Sequence, residues 1–258
     1  MSAFCKGSGG GGREALTADL NITAGAGGDY SDIQEAIDYV ASIDTQIYNV
    51  FISVLNGTHS EVVKLKNTVG AGIITLTGDN STPSNVIIDG GFYKETPGTI
   101  YKLQGFQFKL TSTAPPAAIN ATNGGSIQFK SCDFNTGYGS LNQISTEFGG
   151  SVSIIGAYNI SGGAVRHYAA LQQGTIRDDL SSGVTITVTG TPAFSQQFAI
   201  AATLGLVRIN TAFVSYSGGA TGKRYQSQQN SVINTGGGGA NFFPGNVAGT
   251  TITGGIYT

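Results

Sequence analysis

Apolar residues recur along this chain with two different periods. The first period is that of one amphipathic helix, with apolar residues three and four positions apart: Ile33, Ala36, Ile37, Val40 and Ala41. Ser31 is placed to cap this helix, and Gln34, three residues later, completes a capping box. The pattern therefore predicts a single helix near the start of the chain, which covers one end of the core.

The second period is that of short strands. Apolar runs follow one another after the helix at Val50 to Leu55, Val62 to Leu65, Ile73 to Leu76, Val86 to Ile88 and Phe106 to Leu110. Turn signals such as Asn56-Gly57 and Gly78-Asp79-Asn80 separate them. No second helical period supplies the crossovers of a layered α/β sheet. The folds still compatible with the pattern are a β-sandwich, an antiparallel barrel and a β-solenoid.

An internal repeat favours the solenoid. Three segments share the order glycine, one residue, β-branched apolar, polar, apolar: Gly125 to Phe129, Gly150 to Ile154 and Gly205 to Ile209. Their starting points lie 25 and 55 residues apart, which corresponds to one and two turns of a coil of about 25 residues. Ile127, Val152 and Val207 are then expected in one inner stack of a rod of about eight or nine coils.

These patterns divide the chain into four parts. Residues 1–13 form a flexible Gly-rich tail, and residues 14–45 form the opening strand and the capping helix. Residues 46–221 form the parallel β-helix. Residues 222–258 form a Gly-rich C-terminal cap or oligomerisation segment.

Composition narrows the class of protein. With 40% hydrophobic residues the chain is not disordered, and its 40 glycines follow no three-residue period, which excludes collagen. No window approaches the roughly 20 apolar residues of a membrane span. The N-terminus has no secretory apolar segment, so we expect synthesis in a bacterial cytoplasm without a signal peptide. Two cysteines cannot build a disulfide framework.

The charges are unevenly distributed. All fifteen acids lie between Glu14 and Asp179, and the remaining 79 residues contain only Arg208, Lys223 and Arg224 as charged side chains. Three cations over that length make no stripe that follows phosphates, so nucleic-acid binding is disfavoured. Because this C-terminal third contains no acid, a pair of carboxylates cannot perform catalysis within it in a single chain.

Several segments resemble a known superfamily. Gly27 to Ile37 resembles the opening of pectate-lyase-like β-helix proteins, in which a short helix caps the solenoid before the first coil. Val54 to Glu61 is similar to their first-coil turn, with His59 where an aromatic residue is usual. Leu103 to Phe108 and Ile127 to Phe134 resemble their repeated coils. The resemblance implies an all-β, single-chain right-handed parallel β-helix (solenoid) with one short N-terminal capping helix.

Later segments resemble a narrower group. Ser161 to Tyr168, Thr189 to Phe194 and Gly222 to Gly245 are similar to phage and prophage tail spike or tail fibre proteins. This implies a structural, receptor-facing virion subunit, a homotrimer that contacts other virion proteins and host surface polysaccharide. Two alternatives stay open: a polysaccharide lyase or glycoside hydrolase on the same fold, and a free carbohydrate-binding adhesive module.

The best catalytic candidates are Arg177, Asp178 and Asp179, which stacking of coils would bring near Arg166 and His167. Two adjacent carboxylates in a strand point to opposite faces, however, so a solvated turn is the preferred interpretation. No motif of the lyase family is present, and no catalytic residue is transferred.

Other side chains are candidates for binding. The expected carbohydrate contacts are Tyr101, Tyr138, Arg166, His167 and Tyr168. The expected oligomerisation contacts are Tyr225, Phe242 and Phe243, because glycines around the two phenylalanines allow backbones to approach closely.

With only two histidines, 108 residues apart, no metal site is expected. No cofactor is expected either, because Tyr30 replaces the third glycine of a dinucleotide-binding turn.

Overall fold

The computed structural model describes residues 4–5, 13–111, 117–136 and 141–258. Within these residues the chain is a nearly all-β parallel solenoid of about nine turns with one α-helix. The predicted fold is therefore confirmed. Most of the tail expected over residues 1–13 lies outside the described residues.

In the described parts of the chain, the coils build three parallel sheets. The ten-stranded sheet contains Leu20–Ala24, Val50–Val54, Ile74–Thr77, Tyr101–Gln104, Ser126–Lys130, Ser151–Ile154, Thr175–Asp178, Leu206–Arg208, Val232–Asn234 and Ile256–Tyr257. The seven-stranded sheet contains Gly57–His59, Val86–Ile88, Gln107–Phe108, Asp133–Phe134, Asn159–Ile160, Val184–Val188 and Val214–Ser217. The eight-stranded sheet contains Val63–Lys64, Phe92–Lys94, Ala117–Ala121, Asn142–Thr146, Arg166–Leu171, Ala193–Ala202, Thr221–Gln228 and Thr250–Ile252.

Two small elements complete the secondary structure. Phe4–Cys5 pairs antiparallel with Ala15–Leu16. A 3₁₀ turn, Pro83–Asn85, precedes the strand Val86–Ile88. Neither contributes a strand to the three parallel sheets.

The inner stack confirms the register predicted from the repeat. Ile127 pairs with Val152, Val152 with Ile176, and Ile176 with Val207, and all four side chains are fully buried. Ile176 is the member that the sequence repeat skipped, because Asp178 stands where the pattern requires an apolar residue. Equivalent residues of neighbouring coils lie about 4.8 Å apart, so distant β-branched residues become vertical neighbours.

The helix spans Ile33–Ser42 and lies over the N-terminal end of the solenoid. Its predicted face is confirmed for Ile33, Ala36, Ile37 and Val40, which are fully buried. The predicted cap is wrong: Asp32 is the N-cap, and its carboxylate accepts the Glu35 amide at 2.7 Å. Ser31 instead donates to the Glu35 side chain. No helix among the described residues has the length and apolarity to cross a membrane.

The coil does not stop at residue 221. Thr221–Gln228 crosses that predicted boundary, and Val232–Asn234, Thr250–Ile252 and Ile256–Tyr257 extend the ten- and eight-stranded sheets. Beyond Val214–Ser217 the seven-stranded sheet gains no further strand within the described residues. A Gly-rich loop takes its place and inserts Phe243 into the core.

Candidate functional site

A cleft of about 260 Å³ opens at the C-terminal end of the strand Thr175–Asp178. Its walls are formed by Asp178, Asp179, Leu180, Arg208, Asn210 and Phe213. The structure thus places two of the three predicted catalytic candidates in one cleft. The third, Arg177, lies on the outer face of the same strand, between Ser153 and Arg208 on the neighbouring coils.

Asp178 occupies an inward position of the ten-stranded sheet. In register it follows Ile154, which in turn follows Phe129, and both of those side chains are fully buried. Asp178 is only 5% exposed. One of its oxygens accepts the backbone amide of Asn210, and the other lies 4.0 Å from Nε of Arg208. These partners satisfy a carboxylate that would otherwise be buried alone.

Asp179 is the accessible carboxylate of the cleft. Its side chain is 50% exposed and lies 3.9 Å from Nη2 of Arg177, whereas Asp178 is buried. The prediction that the two carboxylates differ in direction is therefore consistent with their burial. Because the strand ends at Asp178, the chain turns there and Asp179 still reaches the same cleft.

The cleft offers three kinds of contact to a ligand. Asp179 accepts hydrogen bonds, and the half-exposed Arg208 guanidinium donates them. Phe213 adds an apolar wall. Such a mixture suits a ligand with many hydroxyl groups and apolar C–H faces.

Sequence reasoning missed Arg208, Asn210 and Phe213 as neighbours of Asp178. Arg177 pairs with Arg208 across 31 residues, whereas the preceding coil, from Ser153 to Arg177, takes 24. Because this coil is longer than the preceding one, a constant number of residues per coil does not place Arg208 beside Arg177. The sequence signal that aligns the strand Leu206–Arg208 with the strand Thr175–Asp178 is the Gly-x-apolar pattern, which recurs at Gly205.

The predicted carbohydrate contacts are mostly not on the surface. Tyr101, His167 and Tyr168 are fully buried, so the expectation that they contact a glycan is wrong. Tyr101 donates to the Lys66 carbonyl at 2.5 Å. Arg166 is partly buried and donates to Asn142 at 3.3 Å and to Gln196. Tyr138 lies outside the described residues.

His167 and Tyr168 belong instead to a chain of hydrogen bonds inside the solenoid. Gln143 Nε2 donates to the Gly162 carbonyl at 2.7 Å, which fixes the amide so that its oxygen faces Nδ1 of His167 at 2.5 Å. Nδ1 therefore has the proton, and Nε2 accepts from the Tyr158 hydroxyl at 2.7 Å. Tyr158 is in turn bonded to Tyr168. We call this set the interior polar chain.

Burial controls the protonation of this chain. It lowers the pKa of the His167 imidazole well below its usual value of 6.5, so the ring is neutral at neutral pH. It also raises the pKa of Tyr158 and Tyr168 well above the usual range. All members are therefore uncharged donors and acceptors within the core.

The predicted oligomerisation residues pack within their own chain. Phe243 is 1% exposed, with its ring centroid 5.8 Å from that of Phe198. Tyr225 is 8% exposed and stacks on Tyr257 at 3.7 Å. Phe242 is partly buried beside Phe243. The monomer thus already buries most of Tyr225 and Phe243, which leaves these two side chains little surface for a neighbouring subunit.

No group of three or more His, Cys, Asp or Glu side chains in the described part of the chain is placed to hold a metal ion. No protein-family model, curated protein or solved structure matches this chain. The structure establishes a parallel β-solenoid.

Proposed function

We propose that this chain is a structural, receptor-facing subunit of a virion appendage, a tail spike, tail fibre or capsid-attached spike, which presents a polar face of its solenoid to host surface polysaccharide. Support comes first from the fold. A rod of stacked coils holds its side chains on a rigid sheet and repeats them at a fixed distance of about 4.8 Å.

One row of side chains is the main support. On the outer face of the ten-stranded sheet, one residue from each of seven consecutive strands stands in register: Thr75, Lys102, Gln128, Ser153, Arg177, Arg208 and Asn234. Ser153 is itself buried and accepts Nε of Arg177 at 3.1 Å, so the other six side chains form the accessible part of the row. We call this row the polar row. It passes beside the cleft, whose walls include Arg208 of the row and Asp179, and continues to Asn234 on the next coil. An extended polysaccharide repeats its hydroxyl groups along one direction, which a straight row of donors and acceptors can follow.

The chemistry of the row favours binding over cleavage. Its seven residues include no carboxylate, whereas glycoside hydrolysis requires an acid and a base or nucleophile on either side of the scissile bond. In the cleft, Asp178 is already held by the Asn210 amide and by Arg208. A tightly held, buried carboxylate suits a structural role better than proton transfer to a bound sugar.

The enzyme alternative has one observation in its favour. The cleft brings the Asp179 carboxylate and the Arg208 guanidinium together beside the polar row. If the protein cleaves its glycan, incubation with polysaccharide releases reducing ends or unsaturated products. Loss of that release in Asp179→Asn would then identify the cleft as the active site.

Binding is tested by retention of the protein on immobilised bacterial capsular and O-antigen polysaccharides. We expect retention without product release, and weaker retention for the double variant Gln128→Ala, Arg208→Ala. Lys109→Ala is the matched control, because Lys109 is an exposed cation that lies outside the polar row. Equal retention of both variants would contradict binding at the polar row.

The virion assignment needs a separate measurement. Particles purified on a density gradient are probed with an antibody against this chain. Co-migration with particles supports an appendage subunit. A chain found only in the soluble fraction would instead support the free adhesive module.

A further inference from the structure

The corner between the eight- and ten-stranded sheets is formed by a stack of tight turns. In each, the amide of the fourth residue donates to the carbonyl of the first at 2.8–3.1 Å: Gly125 to Thr122, Gly150 to Glu147, Gly174 to Leu171, Gly205 to Ala202 and Gly255 to Ile252. Both central residues have positive φ, as type I′ turns require. Gln229 and Asn230 continue the stack with φ of 56° and 57°. We call this corner the turn ridge.

Three consecutive coils of the turn ridge have no glycine at either central position. These are the pairs Gln172-Gln173, Thr203-Leu204 and Gln229-Asn230. Type I′ turns strongly prefer glycine at the second position because a side chain there is strained. Thr203 is β-branched, and for such a residue a φ of 53° is rare. The chain thus holds side chains where glycine would be more stable.

The side chains at these positive-φ positions make few contacts within their own chain. Leu204 is 56% exposed, and Gln173, Gln229 and Asn230 are exposed as well. Between ridge side chains, Thr203 donates to Gln229 at 2.8 Å. The backbone of these turns is held by the next coil, with the Gln173 amide donating to the Thr203 carbonyl at 3.0 Å and the Leu204 amide to the Gln229 carbonyl at 3.1 Å. It is the exposed side chains, held at positive φ, that have no evident role within the monomer and point to an external one.

The chemistry of the ridge suits a contact between two copies of the same surface. None of the twelve central residues of the six turns is charged. Glutamine and asparagine amides each have a donor and an acceptor, so a row of them can pair with an identical row. A symmetric contact between charged rows would instead bring like charges together.

Two apolar side chains add area to this surface. Phe148 is 53% exposed, and Leu204 stands two coils further along, about 10 Å away at the spacing of stacked strands. Leu171, at the start of one turn, packs with Ala169, Ile200 and Ala202 in a small cluster that is separate from the core. An aliphatic Leu204 offers no ring to stack on a sugar, but it buries well against another apolar side chain.

We propose that the turn ridge is a self-association surface, on which a second copy of this chain packs side by side through its own ridge. The proposal is independent of glycan binding at the polar row, which lies on another face of the solenoid. It also differs from the C-terminal contact predicted from sequence, whose residues Tyr225 and Phe243 are buried within the monomer.

The decisive variant restores glycine to the three strained turns: Gln173→Gly, Leu204→Gly and Asn230→Gly. Each change relieves a positive φ and removes a ridge side chain. Thermal melting is therefore expected to shift upward, while sedimentation equilibrium shows self-association weakened by about tenfold or more. Thr191→Gly is the matched control, because Thr191 has a φ of 48° away from the ridge. It should melt higher and associate like the parent.

A second variant tests the contact without relieving strain. Gln173→Lys places like charges opposite each other in the paired ridges, so association should be lost at low salt and recovered at high salt. A parent chain that sediments as a monomer at all concentrations would overturn the proposal, and would leave the ridge open to a glycan. A triple-glycine variant that associates as tightly as the parent would also overturn the proposal.

Discussion

Glu61 of the first coil holds the N-terminus of the capping helix, because its Oε1 accepts the backbone amide of Ile33 at 2.9 Å. Oε2 accepts the next amide, that of Gln34, at 3.1 Å. The free amides and the positive dipole end of the helix are therefore satisfied by a carboxylate 28 residues further along the chain. The helix and the first coil are bound together by this contact.

Removal of this contact should destabilise the protein. Glu61→Ala is expected to lower the free energy of unfolding by about 1–3 kcal/mol, since it leaves two amides without their charged acceptor. Glu61→Gln keeps an acceptor but no charge and should lose less. Urea unfolding followed by circular dichroism measures both, with the exposed Glu95→Ala as control. A Glu61→Ala protein as stable as the control would show that water replaces the carboxylate.

Each glycine that closes a ridge turn lies against the carbonyl of the preceding coil. A Cβ at Gly174 would stand 2.3 Å from the Thr146 carbonyl oxygen. Gly174→Ala should therefore lower the free energy of unfolding by about 2–3 kcal/mol through steric overlap. Gly183→Ala is the control, because no atom lies within 4 Å of its added Cβ and its φ is ordinary. That variant should change stability by less than about 1 kcal/mol in either direction, as measured by chemical denaturation.

The same glycine pattern made the solenoid predictable. Gly125, Gly150 and Gly205 mark equivalent corners, and the apolar residue two positions after each enters one inner stack. Both features repeat with the coil, so sequence spacing is enough to find them. The buried face of the helix followed from spacing in the same way.

The site was harder to predict because it depends on departures from the repeat. Asp178 stands at an inward position, and its partners Arg208 and Asn210 arrive only after a longer coil. His167 and Tyr168 are adjacent yet both fully buried, which strict strand alternation does not allow. Both lie within the strand Arg166–Leu171, and the bonds of His167 to Gln143 and Tyr158 hold its ring in the interior.

Phe243 should be essential to the C-terminal end of the rod. Its ring lies 5.8 Å from Phe198 and 6.0 Å from Tyr216, within the aromatic core of the last coils. Phe243→Ala is expected to lower the free energy of unfolding by about 3–5 kcal/mol, because it leaves a cavity. Phe148→Ala removes the same atoms from a side chain that is 53% exposed and should have little effect on monomer stability. Differential scanning calorimetry compares the two, and equal melting temperatures would place Phe243 outside the cooperative core.

The interior polar chain predicts how stability depends on pH. The folded-state pKa of His167 is depressed, so below the unfolded pKa of about 6.5 the unfolded chain binds a proton that the folded chain does not. Stability from this group is therefore fully present above pH 6.5 and falls as the pH drops below it. Protonation of Nε2 would also remove the acceptor of the Tyr158 hydroxyl.

The size of this effect follows from the linkage relation. Between pH 6.5 and 5.5, the parent protein should lose about 1 kcal/mol more stability than His167→Gln, which does not titrate there. Urea unfolding at pH 7.5, 6.5 and 5.5 measures the two slopes, so the lower absolute stability of the variant does not affect the comparison. If His167→Gln and the parent instead lose stability in parallel, His167 is protonated in the folded protein and the interior polar chain rearranges to accept it.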